Sequence, residues 1–190
     1  MSIGSKFLTL ATVVALALPL RAEPREILGV KVADTKTVAG KELKLNGTGV
    51  RTATMLRVKL YVASFYAPSP VSTEKEVLAS QGPMRFEFAF LRPFPKEKVV
   101  EAWKFTFEES NTHVYPNMQK DFDDFSNLFG AIAKFGVEGV EIDGDETRVY
   151  DDNVLRGSVK GKDFQKSFLS LWFGSKPVMK ELKAGFLGKK

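Results

Sequence analysis

Arg51 and Tyr61, ten positions apart in this 190-residue sequence, are of residue types that could together hold an anion. Arginine keeps its charge and presents a planar donor fork that fits a carboxylate. A tyrosine hydroxyl adds a further donor on a largely apolar body. Geometry decides whether they can act together. On one straight strand their Cα atoms would lie roughly 33 Å apart, at about 3.3 Å per residue. A turn near Thr54 would fold the stretch into a hairpin and bring the two within side-chain reach, although Thr52-Ala53-Thr54-Met55 carries no Asn-Gly signal. The alternative reading makes Arg51 an exposed strand-end cation and Tyr61 an ordinary sheet aromatic.

The other reactive residue types point elsewhere. His113 is the only histidine and falls in a loop, which reads as surface chemistry and excludes a histidine-rich metal site. Asp121, Asp123 and Asp124 lie near the start of a helical pattern, where the helix dipole favours negative charge, and read as a solvated face. Asp143 and Asp145 have the first spacing of a calcium loop but lack its later ligands. The absence of cysteine rules out zinc–thiolate sites, thiol catalysis and a cysteine-anchored lipoprotein. No cofactor and no metal is expected.

The elements that must position Arg51 and Tyr61 follow from periodicity. Leu43 and Leu45 alternate with polar residues, and Asn46-Gly47 with Gly49 reads as a glycine-spaced turn. From Arg57 a second alternating run puts Val58, Leu60 and Val62 on one face and Lys59, Tyr61, Ala63 and Phe65 on the other. Ile27–Val32 reads as an opening strand pair. Thr73–Ser80 reads as a short helix. Met84–Leu91 is a strand whose Phe86, Phe88 and Phe90 share a face. Those three are either sheet core or, if a helical layer leaves a gap above them, the lining of an apolar cavity.

Lys96–Glu109 is predicted helical behind Pro93 and Pro95. Asn117–Phe135 is the strongest helix, with Met118, Phe122, Phe125, Phe129, Ile132 and Phe135 on one face and Gly136 as its C-terminal cap. Its phenylalanines 122, 125 and 129 are further candidates to line a cavity against the sheet. Strands return at Val137–Ile142, Thr147–Tyr150 and Val154–Lys160, separated by turn dipeptides. Asp163 would cap a helix over Phe164–Phe173, and Pro177 would open a short last helix through Leu182. Antiparallel strands interspersed with a few helices imply an α+β fold, one sheet with helices on one face.

Length favours one domain, residues 23–190, behind an N-terminal leader. Lys6, the apolar run Phe7–Leu18, Pro19 and a cleavage position after Ala22 read as a secretory signal peptide, residues 1–22. No other stretch is long and apolar enough to span a bilayer. Loss of the leader removes Lys6 and Arg21 and no acid, so the formal charge falls from +5 to +3. That mild charge, without a basic stripe, carries no nucleic-acid footprint. The expected location is exported, and periplasmic in a Gram-negative source.

The stretch Leu43–Tyr66 resembles the chalcone isomerase superfamily, through its spaced glycines ending in Arg51, Val58-Lys59-Leu60 and the strand end Phe65-Tyr66. Trp172-Phe173-Gly174, Pro177 and Gly185-Phe186-Leu187-Gly188 are similar to the ending of bacterial chalcone isomerase-like proteins. The resemblance implies an open-faced β-sandwich with a helical layer and a cleft between them. The family has an enzyme branch and a fatty-acid-binding branch. Of the four positions that organise the enzyme's site, Arg51 keeps the arginine, Tyr61 stands for the threonine, and Pro95 and Ala102 stand for the later tyrosine and asparagine. An arginine paired with a tyrosine looks instead like the fatty-acid-binding branch. The expectation is a non-catalytic binder of a fatty acid or similar apolar carboxylate, its head on Arg51 and Tyr61. Its tail would lie between the sheet and the Met118–Phe135 helix. An isomerase of the chalcone type and an envelope protein that binds a protein partner are the alternatives.

Overall fold

In a computed structural model, residues 25–53, 56–111 and 115–189 are described. The expected leader and His113 lie outside them. The strands are β1 (Arg25–Ile27), β2 (Val30–Val32), β3 (Thr35–Val38), β4 (Lys41–Ala53), β5 (Val58–Ala67), β6 (Met84–Phe90), β7 (Val137–Asp143), β8 (Glu146–Asp151) and β9 (Val154–Lys160). The helices are α1 (Glu74–Ala79), α2 (Lys96–Ser110), α3 (Tyr115–Asn127), α4 (Lys162–Phe173) and α5 (Lys180–Phe186). Strands β3 to β9 form one antiparallel sheet in sequence order, and β1–β2 is a separate small hairpin. The fold is α+β, with helices packed on one face of a curled sheet.

Alternation dictates which face is which. On β6, Phe86 and Phe88 turn toward the helices and are buried, while Arg85 and Glu87 turn the other way. Phe86 stacks on Phe65 of the neighbouring strand at 4.8 Å between ring centroids and meets Phe168 of α4 edge-on. The aromatic core continues through the helices, with Phe107 of α2 stacked on Phe122 of α3 at 4.3 Å. On the opposite face Arg85 is buried too, held by Glu87, Glu141 and Asn153. Lys36 of β3 reaches Glu87 at 2.8 Å. Gly139 makes room for this network, since a Cβ there would lie 2.9 Å from the Arg85 guanidinium.

Several elements depart from the sequence reading. Asn46 to Gly49 is not a turn but the middle of β4, with a register irregularity between Leu45 and Gly47. The side chain of Asn46 instead clamps the backbone of Val71 and the carbonyl of Phe186. Helix α3 ends at Asn127 rather than Phe135. Beyond it the backbone changes partner: Ile132 and Phe94 exchange hydrogen bonds at 2.8 and 2.9 Å, and Phe135 N–H reaches Phe90 O. Gly136 therefore joins that ladder and caps nothing; its carbonyl accepts from Phe90 N–H at 3.0 Å. Helix α4 starts two residues earlier than expected, behind Gly161 at φ 120°. Asp163 lies in its first turn, exposed and within 3.5 Å of Lys166, so it complements the dipole without capping. The last helix begins at Lys180, not Pro177, and takes in Gly185 and Phe186.

Candidate functional site

Three consecutive strands build a row of side chains. Arg51 on β4 stands directly opposite Tyr61 on β5, and Tyr61 stands opposite Phe90 on β6. The hairpin expected from the sequence thus brings Arg51 and Tyr61 together. The next rows along the same face are Gly49, Ala63 and Phe88, then Gly47, Phe65 and Phe86. The two glycines have a steric reason. A Cβ at Gly49 would press on Leu182 of α5 at 3.3 Å, and one at Gly47 would lie 1.9 Å from Gly185 O. Glycine lets α5 lie flat on β4, and the face becomes polar at Arg51, just beyond that helix.

Arg51 donates from Nη1 to its neighbour Thr52 O at 3.2 Å and to Val178 O at 3.3 Å. Among the described residues it has no acidic partner. Tyr61 is held edge-on by Phe88 at 5.4 Å and tilted against Phe90 at 5.2 Å. Burial pushes its pKa up to about 12, and the charge of the adjacent Arg51 only partly offsets this. The phenol is therefore a neutral donor throughout the physiological range.

Both side chains line a cavity of about 300 Å³ between the sheet and α2. Phe88 and Phe90 form its sheet wall; Val99, Ala102 and Trp103 of α2 form its roof. The volume falls at the lower end of the roughly 300–1,000 Å³ usual for small-molecule sites, and the pattern of mostly apolar walls with a few placed donors fits them. An arginine without a counter-charge beside apolar walls leaves its own charge as the one to be matched by an anion.

Four phenylalanines expected in the lining are not there. Phe86, Phe122, Phe125 and Phe129 are buried to 1% exposure or less in the solid aromatic core. Their place is explained by layer order. Helix α2 roofs the cavity with Trp103, and α3 packs behind it, Phe129 stacking on Trp103 at 4.9 Å and Phe125 meeting it edge-on. The cavity therefore lies under α2 and not under the Met118–Phe135 segment. Trp172 of α4 also lines it, and its indole N–H is buried without an acceptor among the described residues. Nothing in the periodicity of α4 separates Trp172 from its core neighbours, so sequence alone did not single it out. Of the acids near α3, Asp123 pairs with Lys104 at 2.9 Å and Asp124 with Lys120.

The architecture is a curled antiparallel sheet roofed by helices, with an apolar cavity between the layers and, on its wall, an arginine that has no acidic partner among the described residues. The chain belongs to the chalcone isomerase-like family, which it matches over residues 24–188. A crystal structure of a fatty-acid binding protein from Arabidopsis thaliana has the same fold. It superposes with a TM-score of 0.67 at 16% identity, covering 84% of this chain and 92% of that one. No curated protein matches the sequence.

Proposed function

We propose that this protein is a non-catalytic carrier of a fatty acid or similar apolar carboxylate. The observation that carries the reading is the direct pairing of Arg51 with Tyr61 on the wall of the cavity, with no acidic partner for Arg51 among the described residues. The carboxylate would take the free donors of Arg51 and the Tyr61 hydroxyl, and the chain would lie along Phe88, Phe90 and Trp103. The fatty-acid binding of the Arabidopsis structure supports this by analogy of fold. At the positions of the enzyme branch's later donors stand Pro95, which precedes α2, and Ala102 in the roof, and neither offers a side-chain donor. The same reading takes residues 1–22 as an export leader, cleaved after Ala22. N-terminal sequencing of the exported protein tests that step.

Native mass spectrometry of protein purified without detergent, followed by denaturation to release bound lipid, tests the carrier reading. Wild type should release a fatty acid, and Arg51→Ala should be depleted of it. Equal lipid in both removes Arg51 as the anchor. An empty wild type that also fails to take up added fatty acid rejects the carrier. Turnover of a chalcone that is lost in Arg51→Ala would favour the isomerase.

A further inference from the structure

At the end of the sheet where β5 begins and β6 ends, three large apolar side chains face solvent. Leu28, Leu56 and Phe135 are 44%, 87% and 50% exposed. They come from three separate segments: the β1–β2 turn, the β4–β5 connection and the approach to β7. The first and third meet, since a Cβ on Gly29 would touch the Phe135 ring at 3.8 Å, and Arg57, next to Leu56, lines the same groove as Leu28 and Phe135. Arg57, Lys59, Arg92 and Lys134 line the shallow groove between them with Leu28 and Phe135, and no acid lines it. None of these four cations has an acidic partner among the described residues. Lys134 instead lies over the Phe135 ring at 5.0 Å.

The backbone is strained where these side chains are presented. Leu28, Arg57 and Phe135 hold φ of 54°, 50° and 67°, a left-handed conformation that bulky residues rarely adopt. At Leu28 the two-residue β1–β2 turn requires this conformation, as the corresponding turns do at Ala39, Asp152 and Asn153. At this end of the sheet it holds apolar groups out into water beside cations.

We propose that this tip docks on an anionic lipid surface. Leu28, Leu56 and Phe135 would enter the boundary between headgroups and acyl chains, and the four cations would meet lipid phosphates. Charge complementarity selects this occupant, since the groove is lined by cations with no internal counter-charge. The projecting apolar residues are separated by cations, which suits a soft interface better than the continuous apolar core of a protein partner. The patch lies outside the cavity and shares no lining residue with it. The two sites are nevertheless neighbours, because Leu60 and Phe90 of the cavity wall directly adjoin Lys59 and Leu91 of the groove.

The absence of cysteine permits a local test. Leu56→Cys and, on the remote strand β9, Leu155→Cys would each carry a polarity-sensitive fluorophore. Vesicles of phosphatidylcholine with and without about a third phosphatidylglycerol would then be added. The label at 56 should brighten and shift to the blue with anionic vesicles only, and the label at 155 should not respond. Lys59→Glu with Arg92→Glu should weaken the binding more than about tenfold, as should high salt. A silent label at 56, an equal response at 155, or a response indifferent to lipid charge overturns the proposal. So does an equal response at 56 to soluble polyglutamate without vesicles, which would mark the patch as a site for an acidic macromolecule.

Discussion

Glu138 of β7 is 1% exposed, on the same face as Val140, and neither of its carboxylate oxygens has a hydrogen-bond partner among the described residues. Burial pushes its pKa up to about 8; nearby Asp151 adds to the push and Arg156 opposes it. The folded value lies above the unfolded one, so the fold binds the proton more tightly. The stability this gives is fully present below about pH 4 and is lost as pH rises through 8. Glu138→Gln should abolish that slope. Thermal melts between pH 5 and 9 should show wild type falling behind the variant by on the order of a few kcal/mol at the alkaline end. Parallel profiles would show that Glu138 is not the titrating group. Tyr61→Phe keeps the ring contacts and removes only the hydroxyl. Calorimetric titration with a saturated fatty acid should show affinity weakened by about 0.5–1.5 kcal/mol, with the melting temperature unchanged. An unchanged affinity would remove the hydroxyl from the site.

Helix α5 lies so close to β4 that backbone meets backbone at Gly185. A Cβ at Gly185 would lie 2.3 Å from Thr48 O. Gly185→Ala must lift the helix and, with it, the preceding segment whose Val178 carbonyl accepts from Arg51. The variant should melt at least about 2 °C lower, since overpacking costs about 1–3 kcal/mol and each is worth roughly 2–4 °C at this size. Ligand retention should fall with it; a variant that melts like wild type would refute the close fit. That contact also shows where the sequence was opaque. Asn46-Gly47 has the chemistry of a turn, yet the glycine makes room for Gly185 in the last helix of the chain. Strand alternation revealed β5 and β6, and the placing of Arg51 opposite Tyr61 needed only a reversal between them. Helix α3 was overextended because Phe129 and Ile132 stay buried after the backbone has left the helix to pair with Phe94. Both α2 and α3 present aromatic faces, so periodicity could not say which roofs the cavity; layer order decides that.

The two faces of the sheet are held by different physics. The helical face is an aromatic core. The opposite face carries Arg85, 5% exposed, compensating Glu87 and Glu141. Arg85→Ala would strand the buried Glu141 carboxylate and leave Glu87 to Lys36 alone, and a loss of about 3–5 kcal/mol is expected from urea denaturation. A loss under 1 kcal/mol would show that water reaches Glu141. The cavity, in turn, takes its anchor and its roof from two separate stretches of chain, with Phe88, Phe90 and Trp172 closing the remaining walls. Its polar anchor lies wholly on the β4–β5 hairpin, and its roof comes mainly from the single helix α2. The anchor and the roof share no residue. A lineage can therefore change the length and shape of the apolar space by substitutions around residue 102 while the anchor at residues 51 and 61 is inherited intact. Drift in one stretch does not have to be matched by compensating change in the other.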